Sequence, residues 1–289
     1  MTTHHFTTHL LNTIWIATLL LSASIDMFSQ CSDGGVCSIG NRSHQKTERL
    51  PNHIGVSIGT GYSGKADDVR YTTVRLSVNE DLNDNMQLQI SVPYNMQSGP
   101  LGRTQGIGDP IASYSYTLLN GRSESIRLQV GVRIGFGAAN VDSLPMAYQN
   151  GLGSTDLIFG ASYNINEWNI SAGFQLAGRR NNNITHLQRG NDVLVRAGYT
   201  ITYESFRIMP EILGIHRLSE STSQSPSNDI ISIPGSQQSQ INIALDLKYV
   251  INTNITVQLF AASPLLQRKN NIDGLTRAFT LQAGAEASF

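Results

Sequence analysis

The residues best placed to do chemistry in this 289-residue chain are charged side chains set among apolar ones at every second position. Arg127 and Arg133 lie in Ser125–Gly137, where Ile126, Leu128, Val130, Val132, Ile134 and Phe136 take the alternate places. Arg75, Arg196 and Lys248 hold the polar phase of their own segments, and Glu80, Asp246 and Glu286 are read in the same phase. Arg207 and Glu211 join them under only one of two phases, because both faces around Pro210 are partly apolar. Charges of both signs on one face admit two roles. Lining a pore, they set up a transverse field that orients polar solutes and tunes selectivity. Paired with one another, they plug the interior and serve as core. Both readings stand on the sequence alone.

Hydrolysis is a second candidate chemistry. His216, Ser219 and Glu220 lie together at one segment end, and His186 lies in 179–191. A histidine and a serine sharing one strand face are two positions apart, which His216 and Ser219 are not. No strand-to-helix nucleophile elbow is expected, so no catalytic residue is assigned. Metal and cofactor binding are not expected either. His4 and His5 stand near the N-terminus, Asp67-Asp68 reads as a solvated loop tip, and Cys31 and Cys37 have no histidine pair beside them. Those cysteines, spaced as CSDGGVC, suit a small-loop disulfide in an oxidising compartment. Arg179, Arg180 and Arg189 make a basic loop, solvated or in contact with anionic lipopolysaccharide.

Composition narrows the elements that must position these groups. Charged residues make up 14% of the chain, against about 25% in soluble domains. Mean hydropathy is −0.16, too polar for a bundle of membrane helices. The one helix-like apolar run, Leu10–Ile25, falls short of the roughly 20 residues a span needs and is broken by Asn12, Thr13 and Thr18. A net charge of −1 argues against nucleic acid, which selects clustered basic residues. An apolar, weakly charged chain with 26 glycines and no spanning helix fits a transmembrane β-barrel.

The N-terminus reads as an export signal, residues 1–29, with Leu10–Leu21 as its apolar region and cleavage near Ser29-Gln30. No Lys or Arg precedes that run. Gln30 stands where a lipoprotein signal needs a small residue, so Cys31 is not read as a lipid anchor. Residues 30–52 then form a tail carrying Cys31 and Cys37.

From His53 onward the pattern is alternation, the period of a strand with one wet and one apolar face. Twelve strands are expected, at 53–62, 69–80, 86–94, 109–119, 125–137, 154–164, 168–178, 192–203, 206–217, 239–250, 255–264 and 276–289. Short links at 81–85, 120–124, 165–167, 204–205 and 251–254 alternate with longer ones at 63–68, 95–108, 138–153, 179–191, 218–238 and 265–275. That asymmetry matches short periplasmic turns and long external loops. The 218–238 link, rich in Ser, Gln and Pro, reads as mobile. Pro210 should bulge its strand, narrowing the lumen or shaping an apolar site. Tyr163, Trp168, Tyr203, Phe206, Tyr249 and Phe289 fall at short-link ends, and Tyr62, Tyr71, Tyr94 and Phe136 near the other rim, as two interfacial girdles would.

The last strand, Gln282-Ala-Gly-Ala-Glu-Ala-Ser-Phe289, resembles the C-terminal β-signal by which outer-membrane proteins are recognised for insertion. Its functional positions would be Gln282, Gly284, Ala287 and Phe289, with Ala287 smaller than the usual hydrophobic. Val92-Pro-Tyr94, Gly106-Ile-Gly-Asp109 and Ser113-Tyr-Ser-Tyr116, with the glycine-rich Gly55–Tyr62, resemble the outer-membrane transporter family associated with meta-pathway phenol degradation. The resemblance implies a passive or substrate-gated barrel. Gly106 and Gly108 would permit a tight return from a long loop, and Asp109 would pair with a lumen arginine or cap the loop. No helix follows, so this is not a phosphate-binding loop.

The expected fold is therefore all-β: a 12-stranded antiparallel transmembrane β-barrel over residues 53–289, of outer-membrane type. The expected function is passage of a small solute without covalent chemistry. A non-conducting binding or structural barrel is the alternative, and an outer-membrane lipid hydrolase the second. Expected partners are outer-membrane lipid and lipopolysaccharide, the barrel assembly machinery and an unidentified small solute, with no nucleic acid, cofactor or metal.

Overall fold

The computed structural model describes residues 52–64 and 68–289. The export signal and the cysteine-bearing tail, Cys31 and Cys37 included, lie outside the described residues, as does Asp67. The strands are β1 (His53–Tyr62), β2 (Arg70–Asn83), β3 (Met86–Gly99), β4 (Gly102–Ile107), β5 (Ile111–Asn120) and β6 (Glu124–Arg133). They continue as β7 (Asp156–Ile165), β8 (Trp168–Leu176), β9 (Asp192–Tyr199), β10 (Ile201–Tyr203) and β11 (Phe206–Arg217). The last are β12 (Thr222–Gln224), β13 (Ile230–Ser232), β14 (Ser239–Val250), β15 (Ile255–Leu266) and β16 (Phe279–Ser288). Neighbours in sequence pair antiparallel around a closed ring of twelve staves, β9 and β10 forming one stave. β4 is an outrigger folded back on β3, and β12 with β13 makes a separate hairpin.

Closure runs the full length of β1 against β16, from His53↔Ser288 to Tyr62↔Phe279. Small residues make this seam. Gly55, Ser57, Gly59 and Gly61 face inward opposite Glu286, Gly284, Gln282 and Thr280. A Cβ on Gly61 would overlap the Phe279 carbonyl oxygen, so this position tolerates no side chain. Ile54, Val56 and Ile58 of the same strand stand exposed on the outside. The alternation repeats around the ring, giving an apolar outer wall and a polar interior. Trp168 packs edge-on against Tyr199 and Phe206 against Tyr249, aromatic pairs at the short-turn end.

Several local expectations change. The 95–108 link is largely the β3–β4 hairpin. β6 ends at Arg133 rather than 137, because Gly135 and Gly137 lead the chain against the backbone of Ser154 and Gly151, each leaving 2.8 Å to an added Cβ. Pro210 produces no bulge: its register with Leu245 is regular. Pro210 has no N–H to donate, and the ladder to the preceding stave is interrupted instead, at Thr200 between β9 and β10. Bulges occur between β2 and β3, β5 and β6, and β14 and β15. The 218–238 link is structured in part as the β12–β13 hairpin.

Two side chains point the other way from the expected phase. Glu80 faces outward with Val78 and Leu76, next to the short turn, where water rather than lipid meets the wall. Tyr71 faces inward and is buried, with the Arg277 guanidinium 3.3 Å from its ring centroid.

Candidate functional site

The interior divides along its length. Toward the short turns, Arg75, Arg127, Lys248, Glu286 and Gln282 point inward and remain half-buried. Gln87, Gln89, Thr256 and Gln258 are likewise inward and half-buried, while His53, Asn79, Asn164 and Asn169 at the same end are buried. Arg207 and Glu211 also point inward, which settles the phase of β11. Glu211 is buried with its carboxylate 3.7 Å from Arg196 Nε. Asp246 accepts a hydrogen bond of 2.9 Å from Gln258.

Toward the long loops the barrel is filled. Ile158, Leu194, Leu213 and Ile215 form a buried apolar layer inside the wall, with Ile111 packed against it. Two residues further along their strands come Asp156, Asp192 and Arg217, and here the interior becomes ionic. Arg133, Arg189, Arg217 and Arg268 meet Asp109, Asp156, Asp192 and Asp273, and none of the eight is more than 7% exposed. Asp156 is gripped by both Arg133 and Arg189. Asp192 accepts from Arg217 at 3.1 Å and from Arg268 at 3.0 Å. Asp273 lies 2.7 Å from Arg217, 3.9 Å from Arg268 and 4.0 Å from Arg189. Four positive charges face four negative ones, so the layer is neutral and closely paired. Burial alone would cost each ion several kcal/mol, and the pairing offsets that cost.

A third layer lies above. Met146, Leu152 and Leu187 pack together with Ile233, Ile272 and Leu275, drawn from four different loops. The loop after β6 and the loop after β15 spring from opposite sides of the ring. They touch: a Cβ on Gly274, which has φ of +71°, would sit 2.5 Å from the Met146 oxygen and 2.7 Å from Ala147 Cα. Tyr148, fully buried, packs on Val69 and Tyr71 and accepts the Leu101 N–H at 3.1 Å. Loops that meet across the mouth form a plug rather than a rim.

Asp109 ties the plug to the wall. Its oxygens accept the N–H groups of Gly137 at 2.9 Å and Leu152 at 2.8 Å, while Arg133 Nε stands 4.0 Å away. Gly106 and Gly108 serve by close packing: added Cβ atoms would crowd the side chains of Asn150 and Asn95. Neither has a positive φ, so freedom of turn is not their role. Burial pushes the Asp109 carboxyl above its ordinary range, more than Arg133 and the two N–H donors pull it down. At Asp273 burial works in the same direction, but Arg217, Arg268 and Arg189 outweigh it and hold the carboxyl well below the ordinary range.

The remaining candidates fall elsewhere. Gln282 and Gly284 face the interior across from Gly59 and Ser57. Ala287 faces outward with Phe289, whose N–H donates to the Asn52 carbonyl at 2.9 Å. Arg189 belongs to the buried layer, not to a basic outer loop, and Arg180 donates to Thr222 O at 3.0 Å. His216 Nδ1 lies 2.8 Å from Ser239 Oγ on the outer wall, so its partner is not Ser219. The Glu220 carboxylate is taken by Ser232 and the Gly235 N–H. Among the described residues no carboxylate completes a relay with His216. One Gly-x-Ser-x-Gly pentapeptide does occur, Gly55–Gly59, but it runs flat along β1 with Ser57 paired to Gly284 and Arg75. A nucleophile elbow needs a sharp strand-to-helix turn. Among the described residues no group of His, Cys, Asp and Glu could hold a metal ion. At Pro210 the outer wall has a shallow apolar concavity of about 520 Å³, bordered by Trp168, Tyr199, Ile212 and Leu245. It opens outward, so Pro210 neither narrows the lumen nor shapes a site within it.

Sequence reasoning missed Asp156, Asp192, Arg217, Arg268 and Asp273. In Asp156-Leu-Ile-Phe159 both faces carry apolar residues, so alternation could not assign the aspartate. Arg268 and Asp273 lie in a loop, where period two says nothing. One usable signal was present: Arg217 shares the parity of Glu211, and Asp192 that of Arg196.

The fold matches solved barrels. The COG4313 outer membrane channel from Pseudomonas putida F1 superposes with a TM-score of 0.63 at 13% identity, covering 86% of this chain and 99% of that one. The NanC porin gives 0.50 at 12% identity over 82% of this chain and 100% of that one. The translocator domain of the autotransporter NalP from Neisseria meningitidis gives 0.51 at 8% identity, covering 88% and 94%. At such identities the likeness concerns the fold. No curated protein sequence matches the chain. The profile of one protein family, described as the MetA-pathway of phenol degradation, matches residues 53–263.

Proposed function

The chain belongs to the MetA-pathway of phenol degradation family, and from that premise we propose that it is a passive outer-membrane channel for a small solute, shut at its outer end by the folded loops. The observation that carries this reading is the division of the interior. The short-turn half of a closed barrel is polar and partly reached by solvent, and the other half is blocked by side chains and loops that fold inward. An apolar outer wall with aromatic pairs at the short-turn end supports a bilayer location. In that membrane the long loops face outside and the short turns the periplasm, reached after removal of residues 1–29. Gln282, Gly284, Ala287 and Phe289 would then present the assembly machinery with its signal. The likeness to solved channels and porins agrees with this reading.

Arg75, Arg127, Lys248, Asp246 and Glu286 would set the field that a solute meets in the short-turn half, while Arg133 serves the plug. The proposal includes no covalent chemistry, since among the described residues no carboxylate orients the outer-wall His216–Ser239 pair. The depth of the plug favours one second reading, a non-conducting barrel that binds partners through its loops. Swelling of proteoliposomes in neutral sugars separates the two. Replacing residues 269–276 with a short Gly-Ser link should raise the swelling rate severalfold over wild type. Equal, background-level swelling of both folded proteins would favour the non-conducting barrel.

A further inference from the structure

Asp273 makes an unusual member of the buried ionic layer. Asp109, Asp156 and Asp192 adjoin or belong to barrel strands, whereas Asp273 is carried in mid-loop, seven residues beyond the end of β15. Its carboxylate takes the charge-assisted bond from Arg217 at 2.7 Å, with Arg268 and Arg189 at 3.9 and 4.0 Å. All three guanidiniums are more than nine-tenths buried. They are not saturated: Arg189 Nε and Nη1 and Arg268 Nε have no hydrogen-bond partner. Guanidinium forks match carboxylates geometrically, and these point at a position filled by a carboxylate on a removable arm.

Charge decides what can replace it. With Asp273 in place the layer is neutral. If residues 269–278 withdraw while Arg268 stays on Asp192, four arginines face three aspartates, and one partly buried guanidinium is left without a counter-charge, which is unfavourable. A neutral solute cannot relieve that; an anion can. Directly beneath lies the apolar layer of Ile158, Leu194 and Ile215. An anion with an apolar body satisfies both layers at once.

We propose that Asp273 is an internal surrogate for a solute carboxylate, and that small carboxylates bearing an apolar body displace it and release the plug. This rests on the channel reading and adds the solute class and the trigger. Arg217, Arg189 and Arg268 bind the incoming carboxylate, the apolar layer accepts its body, and residues 269–278 swing away with Asp273 while Arg268 stays on Asp192. Binding of this kind shifts a pre-existing closed–open equilibrium toward open, because only the open form has the site vacant.

The test uses the full folded protein in detergent, with potassium hexanoate as probe and hexanamide, acetate and chloride as controls. Trypsin cleavage after Arg277, which is buried in the plug, reports loop release by mass spectrometry. At a hexanoate concentration about ten times its dissociation constant, cleavage should accelerate about tenfold. Hexanamide, acetate and chloride at the same concentration should leave the rate near its starting value. Asp273→Asn, checked for folding by heat-modified gel mobility, should be cleaved faster without any probe and respond to hexanoate at lower concentration. Acceleration by hexanamide would overturn the carboxylate assignment, and equal acceleration by acetate the apolar body. No response to hexanoate, or an unchanged response in Arg189→Gln and Asp273→Asn, would overturn the proposal. Cleavage does not depend on conduction, so a conducting barrel indifferent to hexanoate ends this proposal alone. A hexanoate-responsive loop on a barrel that never conducts ends the channel reading instead.

Discussion

Arg217, the last residue of β11, holds Asp273 at 2.7 Å across 56 positions of sequence. The pair joins the barrel wall to the loop that covers it. Around it a neutral layer of arginines and aspartates separates two apolar layers, one of wall residues and one of loop residues. Sealing depends on all three, and each can be perturbed separately.

Gly274 controls whether the loop can seat. Its φ of +71° suits glycine, and a side chain would run into Met146 and Ala147. Gly274→Val should cost the seated loop more than about 1 kcal/mol and raise proteoliposome swelling while leaving barrel mobility on gels unchanged. Swelling equal to wild type would show that the Gly274 contact does not help close the mouth.

The inner apolar layer should act as a gasket. Leu213→Ala removes a side chain that is 3% exposed, and such truncations cost about 2–5 kcal/mol. A lower temperature of heat-modified mobility is expected, together with increased passage of small sugars. Loss of stability with no added leak would place the seal in the ionic or loop layer alone.

Acid should act on the plug in two stages. Asp109 has a raised carboxyl, so its stabilising contribution is present in the protonated state and is lost as pH rises through its folded value. Asp273 has a lowered carboxyl, so its contribution is present above the ordinary carboxylate value and is lost as pH falls through its lower folded value. Between neutrality and the ordinary carboxylate range the plug should therefore stay shut, relieved slightly as Asp109 protonates. It should loosen only below that range. Hydrogen exchange of residues 267–278, corrected for intrinsic rates, checks this; loosening that begins near neutrality would contradict it.

The β1–β16 seam should be intolerant at one point. Gly61→Val forces a side chain into the Phe279 carbonyl, and ring closure should fail, giving protein without the compact form on unheated gels. A folded Gly61→Val barrel would mean that the seam can shift register there.

Sidedness has its own test. A cysteine at Ser227, in the β12–β13 turn, should react with an impermeant maleimide on intact cells, and one at Asp84, between β2 and β3, should not. The reverse pattern would invert the orientation.

Much of this fold was legible because a barrel repeats one rule. Met86–Val92 and Ser125–Arg133 show their inward and outward faces residue by residue, and short turns mark every second strand end. The rule weakens where the interior is itself apolar. Ile158 and Leu194 face inward, so β7 and β9 look apolar on both faces near the plug, and Asp156 and Asp192 lose their phase. Tyr71 misled for the same reason, being an aromatic that packs under a loop instead of standing in a girdle. Glu80 misled because outward positions next to a turn lie in water, where charge costs little. The plug itself was beyond reach: Met146 against Gly274, or Arg217 against Asp273, are contacts between loops and walls that no local periodicity encodes.

Single-channel recording in planar bilayers tests the central claim most directly. Wild type should be closed with rare openings, and the protein with residues 269–276 replaced by a short Gly-Ser link should conduct continuously with a linear current–voltage relation. If that folded variant carries no current at any voltage, the barrel is not a channel shut by its own loops.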